Sequence, residues 1–152
     1  MPQLSTTTRV RHAASDMFNL VADVERYPKF VPLCQSLKIR QRTSEAGKEV
    51  IVADMTVAYK LIRQTFTSRV TLDRAKLEIL VEYLEGPFRS LNNHWTFRPV
   101  DEHACEVDFF ISYEFRSRAL GLLMGAMFDA AFRRFAGAFE GRADQVYGTR
   151  AA

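Results

Sequence analysis

Residues 118–146 read RALGLLMGAMFDAAFRRFAGAFEGRADQV. Within them Leu120, Leu123, Met124, Met127, Phe128, Ala131, Phe135 and Phe139 recur at intervals of three and four, the spacing of one helical face. At 1.5 Å per residue such a helix is about 40–45 Å long, enough to cross a small domain. A stripe this wide has to be buried. The segment before it alternates with period two, so its partner is the inner face of a curved sheet. Any gap left between the two would be an oily cavity.

Reading back from the helix, Cys105, Val107, Phe109, Ile111, Tyr113 and Phe115 oppose Glu106, Asp108 and Glu114. Leu91, Asn93, Trp95 and Phe97 oppose Asn92, His94, Thr96 and Arg98, after a break at Glu85-Gly86-Pro87. Leu77, Ile79, Val81 and Tyr83 oppose Glu78 and Glu82, after a turn over residues 73–76. Ile62, Gln64, Phe66, Ser68, Val70 and Leu72 share one face, and Ile51, Ala53, Met55 and Val57 another, with a change of parity near residues 59–61. Leu37, Ile39 and Gln41 alternate with Lys38, Arg40 and Arg42, and the SEAG segment at 44–47 makes the next turn. Clean alternation with short turns predicts an antiparallel meander, dry on one face and wet on the other.

At the N-terminus, the Thr-rich residues 5–12 predict a short edge strand. Ser15 is the expected cap of a helix over residues 16–23. A second helical turn over 24–30 ends where Pro28 and Pro32 interrupt the backbone. The fold class is therefore α+β: one domain over residues 1–152, ordered strand, two short helices, six strands, long helix. A sheet of about seven strands must twist and curl, and the terminal helix fills its concave side.

Composition narrows the function. The 152 residues are 47% hydrophobic and 26% charged, with a net charge of +3, which suits an anionic membrane surface or RNA without specifying either. Cys34 and Cys105 make no metal-ligand spacing and read as free thiols in a reducing compartment. The first residues lack the apolar core of a signal peptide. The longest uncharged apolar run, residues 119–128, is about half of what a membrane span requires. His12, His94 and His103 fall on different elements, and no HExxH, GxSxG or phosphate-cradling glycine loop is present. Asp54 and Glu82 could meet across strands, but on the outer face, where a carboxylate keeps its water. The sequence thus gives no support for an enzyme and no metal or cofactor site.

The inner face carries a few polar groups, Gln64, Tyr83, Asn93 and Tyr113, among aliphatic and aromatic ones. Either each bonds to a neighbour in a filled core, or they converge on a largely apolar small-molecule site. Residues 119–128 are apolar nearly all round the helix. With Arg116 and Arg118 beside them, they read as a close-packed segment, a lid, or a patch touching anionic lipid.

The run Phe18-Asn19-Leu20-Val21-Ala22-Asp23-Val24-Glu25-Arg26-Tyr27-Pro28-Lys29-Phe30-Val31-Pro32, with Cys34, resembles the first signature of the coenzyme-Q-binding START-like proteins. Glu85-Gly86-Pro87-Phe88-Arg89-Ser90-Leu91 with Trp95 and Phe97 resembles the second, and Phe66-Thr67-Ser68-Arg69-Val70 a third. The superfamily also holds polyketide cyclases and ribosome association toxin proteins. The resemblance implies the helix-grip fold and, first, non-catalytic binding of ubiquinone or a related polyprenyl lipid as a respiratory carrier or chaperone. Such a protein would be cytoplasmic in a bacterium, with peripheral contact at the inner membrane and no DNA partner. The alternatives it implies are a regulator bound to the large ribosomal subunit and, third, a cyclase or aromatase. On the quinone reading, Met55, Val57, Phe66, Phe88, Leu91 and Trp95 surround the isoprenoid tail, with Tyr27 and Phe30 near the entrance. Leu123, Met127, Phe128 and Phe135 close the site from the helix. By strand parity, Asn93 and Tyr113 are the polar contacts to the headgroup. The ribosomal reading draws on Lys38, Arg40, Arg42, Arg63 and Arg69 as a basic outer face.

Overall fold

In the computed structural model, which describes residues 3–59 and 61–148, ten elements follow in order. They are β1 (Gln3–Val10), α1 (Ala14–Ala22), a 3₁₀ segment (Val24–Lys29), β2 (Cys34–Glu45), β3 (Lys48–Tyr59), β4 (Ile62–Asp73), β5 (Glu78–Glu85), β6 (Phe88–Asp101), β7 (Ala104–Phe115) and α2 (Arg118–Tyr147). The strands form one antiparallel sheet in the order β1-β7-β6-β5-β4-β3-β2. Every hairpin neighbour is also a sequence neighbour. The exception is β1, which pairs with β7 at one edge while β2 forms the other. The segment from β1 to β2 therefore has to cross the whole sheet. It does so through α1 and the 3₁₀ segment, with Met17, Phe18 and Val21 of α1 buried in the core.

Local chemistry explains the turns. Ala46 and Gly47 have φ of 50° and 79°, and Glu45 pairs with Lys48, so β2 and β3 are joined by a two-residue loop whose twist matches its strands. Gly86, at φ 143°, closes the β5–β6 connection, where an added Cβ would lie 2.6 Å from Phe66 Cβ. Only glycine fits there. The parity change near residue 60 is the β3–β4 turn, with Tyr59 paired to Ile62; Lys60 itself lies outside the described residues. Ser117 Oγ accepts the Leu120 amide at 3.1 Å and starts α2, and Gly148 at φ 83° ends it.

Several expectations give way to tertiary context. The cap of α1 is Ala13, without a side-chain bond, and Ser15 sits inside the helix. A register shift between Ile39 and Gln41 pairs Arg42 with Ile51, whose side chain is fully buried. The extra residue turns Arg42 off the outer face, and it ion-pairs with Glu25 (3.5 Å) and Glu49 (2.9 Å). Asp54 and Glu82 do not meet, because β4 separates them. Asp54 takes Arg40 and Thr67 as partners, and Glu82 takes Arg69. The outer face is therefore less basic than its residue count suggests.

The core lies between the concave face of the sheet and the two helices, with Phe18, Phe97, Phe109, Ile51, Ile79, Met124 and Phe139 essentially inaccessible. Each such side chain contributes roughly 1.5–3 kcal/mol by leaving water. His12 is 3% exposed and bonds Asp144 Oδ1 at 2.7 Å, fastening the chain beyond β1 to the far end of α2. Cys34 and Cys105 are buried and free, and burial pushes both thiols up to about 11.

Candidate functional site

A cavity remains where α2 crosses the sheet. Its floor is Ala53, Met55 and Val57 on β3, Phe66, Ser68 and Val70 on β4, and Val81 on β5. Phe88, Leu91, Asn93 and Trp95 on β6 and Ile111 on β7 continue it. Phe128, Ala131, Phe132, Phe135 and Phe139 of α2 form the roof, and Val24, Tyr27, Pro32, Leu33 and Leu37 the side wall. The hollow has a local cause. Ala53, Ser68 and Ala131 present small side chains where their neighbours are large, and the rings around them are propped on each other. Phe88 packs at 4.8–5.8 Å from Phe66, Tyr83, Phe115 and Phe128, and Trp95 lies 4.7 Å from Phe109 and 5.0 Å from Phe139. A wall of mutually braced rings cannot collapse onto a few missing methyl groups without losing contacts elsewhere.

The atom-free space is about 910 Å³ including the open mouth.

Of the residues expected here, Tyr27, Met55, Val57, Phe66, Phe88, Leu91, Asn93, Trp95, Phe128 and Phe135 line the space. Four do not. Leu123 is 64% exposed, because at 100° per residue it sits about 140° round α2 from Phe128. Met127 is displaced by about 100° in the same sense and packs at the edge of the core instead. Phe30 lies behind the wall, its ring 5.0 Å from Phe139 with the Arg142 guanidinium 5.6 Å from its centre. Tyr113 packs against Phe132 at 5.2 Å, and its hydroxyl donates to the Gly125 carbonyl at 3.4 Å.

The polar inventory also differs from expectation. Asn93 donates through Nδ2 to the Phe110 carbonyl (2.9 Å) and accepts Trp95 Nε1 (3.0 Å), so its amide first of all orients the indole. The Tyr27 hydroxyl donates to the Val21 carbonyl at 2.5 Å, and burial pushes that phenol well up. Tyr83 accepts the Phe88 amide. Ser68 Oγ, in the floor, is buried and has no hydrogen-bond partner. Among the lining residues that the sequence reading did not name for the site, Phe132 and Ser68 are instructive. Phe132 had a signal, four residues after Phe128. Ser68 had the right parity, but nothing local distinguishes a free hydroxyl from a bonded one.

Among the described residues no Asp, Glu, His, Lys or Arg lines the cavity, so none of those side chains is placed there as a general acid or base. Among the described residues no group of His, Cys, Asp and Glu could hold a metal ion, and no helix is long and apolar enough to cross a membrane. The apolar start of α2 faces outward in part, with Leu122 82% exposed.

Comparison with known proteins agrees with this geometry. The chain is 35% identical over 150 residues to the ribosome association toxin RatA of Escherichia coli, covering 99% of this chain and 92% of that one. It is 32% identical over 110 residues to the mitochondrial coenzyme Q-binding protein coq10 of Schizosaccharomyces pombe, covering 72% of this chain and 66% of that one. The solution structure of the 18 kDa protein CC1736 of Caulobacter crescentus superposes with a TM-score of 0.79 at 32% identity, over 98% of this chain and 100% of that one. The architecture is the helix-grip fold of START-like proteins. Residues 10–140 match the family described as polyketide cyclase / dehydrase and lipid transport, and the chain belongs to that family.

Proposed function

We propose that this protein is a non-catalytic, ribosome-associating member of its family, acting on the large subunit, and that its cavity holds an apolar ligand. The observation that carries the first part is the extent of likeness. Similarity to RatA runs along 99% of this chain and 92% of the relative, whereas similarity to coq10 spans 66% of that protein. Cosedimentation with purified ribosomal subunits tests it. The protein is expected to pellet with the large subunit at about 50 mM salt and to be released at about 200 mM, as displaced counterions demand of an RNA contact. Failure to pellet with either subunit at the lower salt, beside a control that does, would refute it.

A second reading, a carrier of ubiquinone or a related polyprenyl lipid, is favoured by the cavity. Its lining has the apolar character and ring-shaped walls that suit a quinone and its first isoprene units. The rest of such a tail would extend out through the open mouth. Lipid extraction and mass spectrometry of protein purified from its own host tests this reading. Absence of any quinone or prenol, under conditions that retain lipid on a known carrier, would end it.

A further inference from the structure

Four hydrogen-bonding side chains among the described residues line the cavity, those of Tyr27, Ser68, Asn93 and Trp95. Tyr27 is committed to the Val21 carbonyl, and Asn93 to Phe110 and Trp95. Ser68 is 7% exposed, and its hydroxyl alone of the four is without a partner among the described residues. A serine on a strand has its own main chain already paired into the ladder, here with Ala53 on β3 and Tyr83 on β5, so the hydroxyl must look into the cavity for company. Leaving such a group dry is unfavourable, because its lost hydration is not replaced. A single water would relieve it poorly, since buried waters ordinarily make about three hydrogen bonds and the walls around Ser68 are aliphatic and aromatic.

Among the described residues the same lining has no cation to meet a carboxylate or phosphate and no carboxylate to meet an amine. An ionised headgroup carried inward would lose its hydration with nothing opposite it. An uncharged oxygen would lose little and would complete the Ser68 hydroxyl. We propose that the cavity takes an uncharged, elongated apolar molecule, oxygen end first, with that oxygen hydrogen-bonded to Ser68 Oγ. This rests on the reading that the cavity holds an apolar ligand, and it makes Ser68 the residue that selects for the headgroup. Ketones, quinones and alcohols fit; fatty acids, phospholipid headgroups and amines do not.

The test uses the delipidated full chain and its one tryptophan, Trp95, which stands in the cavity wall and reports on occupancy by fluorescence. Two probes of equal length, 2-nonanone and nonanoate, are titrated at neutral pH, with native mass spectrometry as a second readout. The ketone is expected to bind at least tenfold more tightly than the carboxylate. Ser68→Ala is expected to weaken the ketone about 3–10-fold, the worth of one neutral hydrogen bond, while leaving nonanoate unchanged and melting temperature equal or higher. Nonanoate binding as tightly as the ketone, or ketone affinity unmoved by Ser68→Ala, would overturn the inference while leaving the cavity reading intact. If neither probe binds by either readout, the cavity reading fails and takes the inference with it.

Discussion

Replacing Ala53 with leucine asks directly whether the space under α2 is hollow. Ala53 is buried in the floor, beside Ser68 on the neighbouring strand. The substitution adds three carbons pointing into the cavity. At about 0.8 kcal/mol per buried carbon the gross gain is about 2.4 kcal/mol, and fixing the leucine rotamer returns about 0.5–1. Three carbons fit comfortably within the space described above, so the overpacking cost of about 1–3 kcal/mol seen in filled cores does not arise. The expected net is a stabilisation of about 1.5 kcal/mol, which for a chain of this size is a rise in Tm of about 3–6 °C. Affinity for 2-nonanone should fall at least tenfold, because the leucine and the probe want the same volume. The assay pairs thermal or urea unfolding of delipidated protein with Trp95 titration. A fall in Tm of 3 °C or more, with ketone binding retained, would mean that the floor is packed solid and that the ligand sits elsewhere.

Three further outcomes follow from contacts outside the cavity. Gly86→Ala places a methyl 2.6 Å from Phe66 Cβ and 2.9 Å from its Cα at φ 143°, neither of which can yield; it should cost roughly 2–4 kcal/mol, read as a lower urea midpoint. His12→Leu removes the 2.7 Å bond to Asp144, and a loss of roughly 1.5–3 kcal/mol is expected; Asp144→Ala should show nearly the same loss, and the double variant no more than either. Asp108 is held below the usual carboxylate range, first by its hydrogen bonds from Arg98 and then, against burial, by Thr7. Its folded-state value lies below the unfolded one, so its contribution is full above about pH 4 and is lost as pH falls through the depressed value. Asp108→Asn should therefore lower Tm at pH 7, and the gap from the parent should close as the pH is taken below 4.

The apolar start of α2 also bears on how the protein is handled. Leu122 and Leu123 are 82% and 64% exposed, and substitution of either by serine should change stability by no more than about 0.5 kcal/mol, as for other surface positions. Lysines or arginines on the outer sheet face are weaker candidates for ribosome contact than their number implies. Arg40 is paired to Asp54 at 2.7 Å and Arg69 to Glu82 at 4.0 Å, so their charge is already partly matched.

The architecture was written in the chain because its signals are local. A strand alternates every two residues wherever it lies, so Ile51-to-Val57 and Cys105-to-Phe115 declare an inner face without reference to partners, and Ala46-Gly47 or Glu85-Gly86-Pro87 mark turns by backbone chemistry alone. The long apolar stripe of residues 118–146 likewise demands a sheet to lie on. What the sequence could not set is anything that depends on how elements are rotated or spaced against each other. A stripe spanning more than 100° leaves the helix free to turn, and packing chose Phe132 over Leu123. One extra residue near Arg40 carried Arg42 to the other face. His12 found Asp144 from 132 residues away. Which polar group stayed free was decided the same way. Asn93 and Tyr113 met partners on other elements and Ser68 did not, because a hydrogen bond is satisfied by whatever the fold brings within 3 Å, and only the assembled cavity determines what that is.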